Sequence, residues 1–158
     1  MLREIYINET NCITPLGFDV ESNISAILNG DSGIQLHNDV SLMPNPFYAS
    51  IISDEKINSA FSKISTETKY SRLEKMMILA LEPIIKNSNV ELNSKTAFIL
   101  STTKGNVTAL ANDSEESFNN AHLDVLAKNV ADFFGFQTQP IVVSNACVSG
   151  ILAVSVAK

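Results

Sequence analysis

The chain has 158 residues, 45% hydrophobic and 18% charged, a globular composition long enough for one sizeable core and a single domain, which excludes a disordered or low-complexity polymer. Its net charge of −6 argues against a nucleic-acid binder, which would carry a basic patch. Its two cysteines, far apart in sequence, give neither a disulfide framework nor metal-ligand spacing, so a reducing cytoplasm and no metal are expected.

No run approaches the roughly 20 apolar residues needed to span a bilayer, and Arg3 and Glu4 interrupt the apolar core a signal peptide would need. Glu4 to Asn8 alternates polar and apolar residues and predicts a strand running towards Cys12, itself read as buried filler. Pro15 and Gly17 break that strand. Val20 to Leu28 predicts a first helix with Ile24, Ile27 and Leu28 on one face, ended by Gly30. Residues 35–50, with Pro44 and Pro46, predict a loop with a short strand at Ala49 to Ile52. Asp54 to Lys63 predicts a short helix capped by Ser53 or Asp54.

A longer helix is expected from Ser65 or Thr66, with Leu73, Met76, Met77, Leu79, Ala80, Ile84 and Ile85 as a core stripe and Pro83 as a kink. Thr96 to Ser101 predicts a central strand, and Asn112 to Asn120 a mobile loop or solvated helix. Leu123 to Phe134 is an amphipathic helix closed by Gly135. His37 and His122 are expected to face solvent or cap a helix rather than act as bases. Strands alternating with helices predict an α/β domain with a mostly parallel sheet and helices on both faces.

The segment from Pro140 to Gly150 carries the chemistry. Ile141, Val142 and Val143 form a β-branched run that suits a covered strand. Ser144 and Asn145 are placed to cap the apolar helix Ile151 to Ala157. Cys147 stands at the start of that helix, where free backbone N–H groups and the positive end of the dipole favour the nucleophilic thiolate. The alternative is an inert buried cysteine. Against it stand Ala146, Ser149 and Gly150, small residues that leave room for a substrate carbonyl. The Gly-x-Ser-x-Gly elbow of hydrolases is not matched.

Asn145-Ala-Cys147-Val-Ser-Gly150 resembles the active-site segment of the β-ketoacyl synthases, the condensing enzymes of fatty acid and polyketide assembly. Four further segments resemble the same family in the same order: Ile13-Thr-Pro-Leu-Gly17 with Ala26 to Ile34, Tyr70 to Ala80, Phe98 to Gly105, and Val130 to Gly135. The resemblance implies a thiolase-like layered α/β/α/β/α fold, of which residues 1–158 are the N-terminal half, ending inside the nucleophile helix, with the natural product expected to continue past Lys158. It implies Cys147 as nucleophile and backbone oxyanion donor. It also places Lys104 where many synthases have a small or apolar residue gating the acyl pocket, so Lys104 either reaches solvent or shapes the site for a short or polar acyl group.

Two histidines, a lysine and a second oxyanion donor, which the family draws from its C-terminal half, have no counterpart here, so the chain alone is expected not to condense anything. The implied substrates ride on the phosphopantetheine of an acyl carrier protein, with no further cofactor. That acidic partner would meet basic surface, to which Lys104, Lys128 and Lys158 can contribute. A homodimer through the strand Pro140 to Ser144 is implied as well. The alternatives are a thiolase, which shares the fold and an N-terminal-half cysteine, and a non-catalytic half-length partner that scaffolds a complete synthase. Chain-length-factor-like partners generally lack the nucleophile, which Cys147 retains.

Overall fold

The computed structural model describes residues 4–111 and 114–158. Mixed helices and small sheets give an α/β chain. It divides into two compact units, one of Met1–Ile7, Thr68–Ile78 and Asn89–Lys158, the other of Asn8–Glu67 and Leu79–Ser88.

The second unit opens with a tight turn in which Thr14 and Gly17 exchange backbone hydrogen bonds. Helix α1, Val20–Leu28, follows, capped by Asp19, whose carboxylate accepts the Ser22 N–H. Its boundaries match the sequence reading, but Ile24, Ile27 and Leu28 are exposed and Asn23 is the buried residue. Strands β1, Gln35–His37, and β2, Phe47–Ala49, pair antiparallel. The expected strand therefore lies earlier than Ala49 to Ile52, because residues 38–46, with both prolines, form the connection that folds it back on β1. Helix α2, Asp54–Phe61, is capped by Ser53 and buries Ile57 and Phe61.

Helix α3, Arg72–Ser88, starts later than the sequence suggested. Ser71 and Glu74 form a capping box there, whereas the Ser65 hydroxyl accepts the nearby Glu67 N–H and holds a local turn. Pro83 is accommodated inside the helix, and the apolar stripe is half-buried, with Ile78 fully buried.

In the first unit, strands β3, Ile99–Ser101, and β4, Ile141–Val143, pair in parallel. The Ser114 hydroxyl caps a short helix α4, Glu115–Asn120, while Asn112 and Asp113 lie outside the described residues. Helix α5 runs from Leu123 to Phe134, as read from the sequence, and buries Leu126, Ala127, Val130 and Ala131. Gly135 ends it at φ 77, a left-handed conformation that costs glycine nothing. Tyr70, Ile78, Phe98, Leu100 and Val143 complete this core. Helix α5 packs on β4, and helix α6, Ser149–Ala157, packs on both β3 and β4.

One predicted strand is absent. Glu4 to Asn8 alternates correctly, yet no described strand takes its N–H and C=O groups, and Ile5, Tyr6 and Ile7 are exposed. Alternation makes a strand only when a neighbour completes the ladder.

Candidate nucleophile site

The parallel pair fixes where the chemistry sits. Ser101 registers with Val143 at the carboxyl ends of β3 and β4, and the Thr102 N–H still donates to the Val143 carbonyl at 3.3 Å. Both strands therefore release their following turns side by side. One carries Thr102 to Asn106, with Lys104 in its middle; the other carries Ser144 to Val148, with Cys147. The carboxyl end of a parallel sheet is where α/β folds gather their ligands.

The Cys147 turn is built tightly. Ala146 to Val148 form one 3-10 turn leading directly into α6. Ala146 takes φ 43, a left-handed backbone seldom adopted by a residue with a side chain. The Ser149 hydroxyl, which is buried, clamps the reversal: it accepts the Asn145 N–H at 2.8 Å and donates to the Ala146 carbonyl at 2.8 Å. This corrects the expected cap. Neither the Ser144 nor the Asn145 side chain caps α6, because Asn145 lies ahead of the 3-10 turn and the Ser149 hydroxyl takes its backbone N–H instead. Cys147 itself is exposed, whereas Cys12 is half-buried.

Lys104 is exposed on the neighbouring turn. Lys128 pairs with Asp132 one helical turn away at 2.6 Å, so its charge is locally met, and Lys158 is exposed. Among the described residues no hydrogen bond or ion pair joins the Cys147 thiol to a base. His122 is the N-cap residue of α5, without a side-chain capping bond, and its ring lies edge-on to Phe118 at 5.2 Å. His37 belongs to the other unit, where it is half-buried in the hairpin, stacked on Phe47 at 5.6 Å, with Nε2 3.2 Å from the Ala49 carbonyl. It thus serves its hairpin rather than facing solvent or capping a helix.

Sequence reasoning missed a buried polar cluster beside the Lys104 turn. Glu74 and Asn106 are each only 3% exposed. The Glu74 carboxylate accepts the Ser71 N–H at 2.6 Å and the Asn129 side-chain amide at 2.8 Å, and the Ser71 hydroxyl donates to the Asn106 Oδ1 at 2.9 Å. The Ser-x-x-Glu spacing was a readable sign of this cluster. Among the described residues there is no group of three or more His, Cys, Asp or Glu side chains placed to hold a metal, and no helix long and apolar enough to cross a membrane.

No curated protein is significantly similar to the chain. The family model described as "Beta-ketoacyl synthase, N-terminal domain" matches residues 3–158. That match takes in both turns at the carboxyl ends of β3 and β4, and the chain belongs to the β-ketoacyl synthase N-terminal domain family, condensing enzymes of fatty acid or polyketide synthesis.

Proposed function

We propose that Cys147 is the acyl acceptor of a decarboxylating condensation. The thiolate adds to the carbonyl carbon of an acyl thioester, and the carrier leaves as its thiolate as the Cys147 thioester forms. A malonyl thioester then loses carbon dioxide, and the resulting carbanion attacks the acyl carbon, expelling the Cys147 thiolate. Splitting one substitution into two easier steps is the gain of covalent catalysis. The observation that carries this reading is the placement of an exposed thiol in a clamped turn at the carboxyl end of the parallel pair. There the Cys147 backbone N–H would serve as one oxyanion donor; removing such a donor typically costs about 10²–10³ in rate.

Decarboxylation removes no proton and needs only donors that stabilise the carbanion as it forms; His37 has its Nε2 3.2 Å from the Ala49 carbonyl of β2 and His122 lies edge-on to Phe118 of α4, so neither is assigned that part. The resemblance draws those donors and the second oxyanion donor from the family's C-terminal half, and the chain, matched by the family's N-terminal-domain model, supplies the half of a synthase that carries the nucleophile. The fold of that synthase is the thiolase-like layered one, a reading supported by the β3–β4 pair with α5 and α6 packed against it. The acyl group arrives on the phosphopantetheine of an acyl carrier protein, Lys104 and Lys158 offering exposed positive charge to that acidic partner. Lys104 lies on the acyl-pocket side of the thiol, and two copies join through β4.

Intact-mass measurement after incubation with acyl thioesters tests the proposal. A single acyl adduct on Cys147 with a carrier-bound substrate, absent in Cys147→Ala, is expected, with no β-ketoacyl product when malonyl thioester is added. Adducts from coenzyme A esters alone would point to a thiolase. No adduct at Cys147 from either donor overturns the reading.

A further inference from the structure

We propose that Glu74, Ser71, Asn106 and Asn129 are positioning residues for the turn Thr102 to Asn106, and through it limit the size of the group that reaches Cys147. The cluster draws together three parts of one unit: the first turn of α3, the residue following Gly105, and the middle of α5. Glu74 is a deeply buried carboxylate held by two N–H donors, in the first turn of α3 where the helix dipole favours a negative group. Ser71 joins the two sides: its hydroxyl accepts the Glu74 N–H at 3.2 Å and donates to Asn106. The capping box of a helix is thereby connected, by one hydrogen bond, to a turn at the site.

The turn is constrained from its other side too. The Gly105 N–H donates to the Thr102 hydroxyl at 3.0 Å. Gly105 has φ 54, and a Cβ there would come within 2.4 Å of the Leu123 Cδ2, so the turn lies against the leucine side chains of α5. Yet Asn106, Thr108 and Ala109 border a cavity of about 250 Å³, whose wall also includes Glu74 and Asn129. There is room beside Asn106, and the Ser71–Asn106 bond holds that residue at the cavity wall. Thr102 is bonded to Val143, so this turn starts beside the one that carries Cys147.

As a claim about thiol access this stands on geometry; as a claim about acyl-group size it rests on Cys147 being the acyl acceptor. The test uses the full chain and two alkylating agents, iodoacetamide and the bulky N-(1-pyrenyl)maleimide, with adducts at Cys147 quantified by peptide mapping. Asn106→Ala, which cuts the tie but keeps the Ser71–Glu74 capping box, is expected to raise the bulky-to-small rate ratio about fivefold, the worth of one ordinary hydrogen bond. Glu74→Gln keeps a capping-box side chain at that position and should hold the parent ratio, while Glu74→Ala should shift it as Asn106→Ala does.

An unchanged ratio in Asn106→Ala overturns the proposal. Should that variant not fold, hydrogen exchange in the parent decides: a protected Gly105 amide supports a fixed turn, and exchange at the unstructured rate overturns it. A shifted ratio in a protein that no thioester acylates keeps the positioning role and removes the acyl-acceptor reading; normal acylation with an unchanged ratio does the reverse.

Discussion

Ala146 holds a left-handed backbone, φ 43, immediately before the candidate nucleophile. For a residue with a Cβ that conformation costs about 1–2 kcal/mol, and such strain persists only where surrounding bonds enforce it. Here the enforcing group is the Ser149 hydroxyl, bonded to both sides of the reversal. Ala146→Val should therefore destabilise the chain by about 2 kcal/mol, since a β-branched residue tolerates positive φ worst. Ala146→Gly should be neutral or stabilising by at most about 1 kcal/mol, strain relief being offset by the greater freedom of glycine in the unfolded chain. Urea titration compares them; equal stabilities for the two variants would mean that the turn is not strained. The same turn presents the thiol, so Cys147 should be alkylated faster than the half-buried Cys12 at neutral pH. Equal, slow rates at the two thiols would count against a nucleophile.

Helix α1 shows what a single cap contributes and at which pH. Asp19 accepts the Ser22 N–H at 2.7 Å and the Ser22 hydroxyl at 2.9 Å, and these bonds hold its carboxyl below the ordinary value of 3.8. A group whose folded pKa is depressed adds stability that is fully present above the unfolded value and is lost as pH falls through the folded one. Fraying of α1 should thus begin only below pH 3.8, and Asp19→Asn, which still caps but does not titrate, should remove that dependence. The Ser22 amide shift followed by NMR from about pH 6 to about pH 2 reports it; a shift unchanged across the range would exclude the cap as the titrating element.

Local signals of this kind explain which elements were legible. Gly30, Ser53 and Gly135 mark ends that depend on a few neighbouring residues, and α1, α2 and α5 were read from them, α2 ending at Phe61 rather than Lys63. The failures have non-local causes. Glu4 to Asn8 alternates like a strand but no described strand pairs with it, and Ser65 and Ser71 compete as caps until the contacts of Glu74 with Ser71 and Asn129 settle the choice. The position of Cys147 between a strand and a helix was legible because the three are consecutive. The left-handed Ala146 was not, since nothing in an alanine announces positive φ, nor was the tie from Ser71 to Asn106, which spans 35 residues.

At the scale of the whole molecule the unresolved physical problem is α6. Its residues are apolar on every side, a pattern that belongs to a helix covered all round, yet Ile151 is 78% and Val154 72% exposed. Strand β4 has the same difficulty along its free edge. Ile141 donates its N–H to the Phe98 carbonyl at 2.9 Å, and Val143 accepts from Thr102, so both use their backbone groups towards β3. By the alternation of a strand, the Val142 N–H and C=O point the other way, where no described strand pairs with them. The proposed two-fold pairing of β4 with its copy would satisfy that edge and bring apolar surface near α6 under cover together. Sedimentation should then give about twice the 17.2 kDa chain mass at micromolar concentration. Val142→Pro, which deletes the edge N–H, and Ile151→Glu, which charges the helix without touching the strand, should each shift the protein towards monomer. If both variants kept the parent mass, the edge of β4 would not be the interface, and a monomeric parent would remove the dimer altogether.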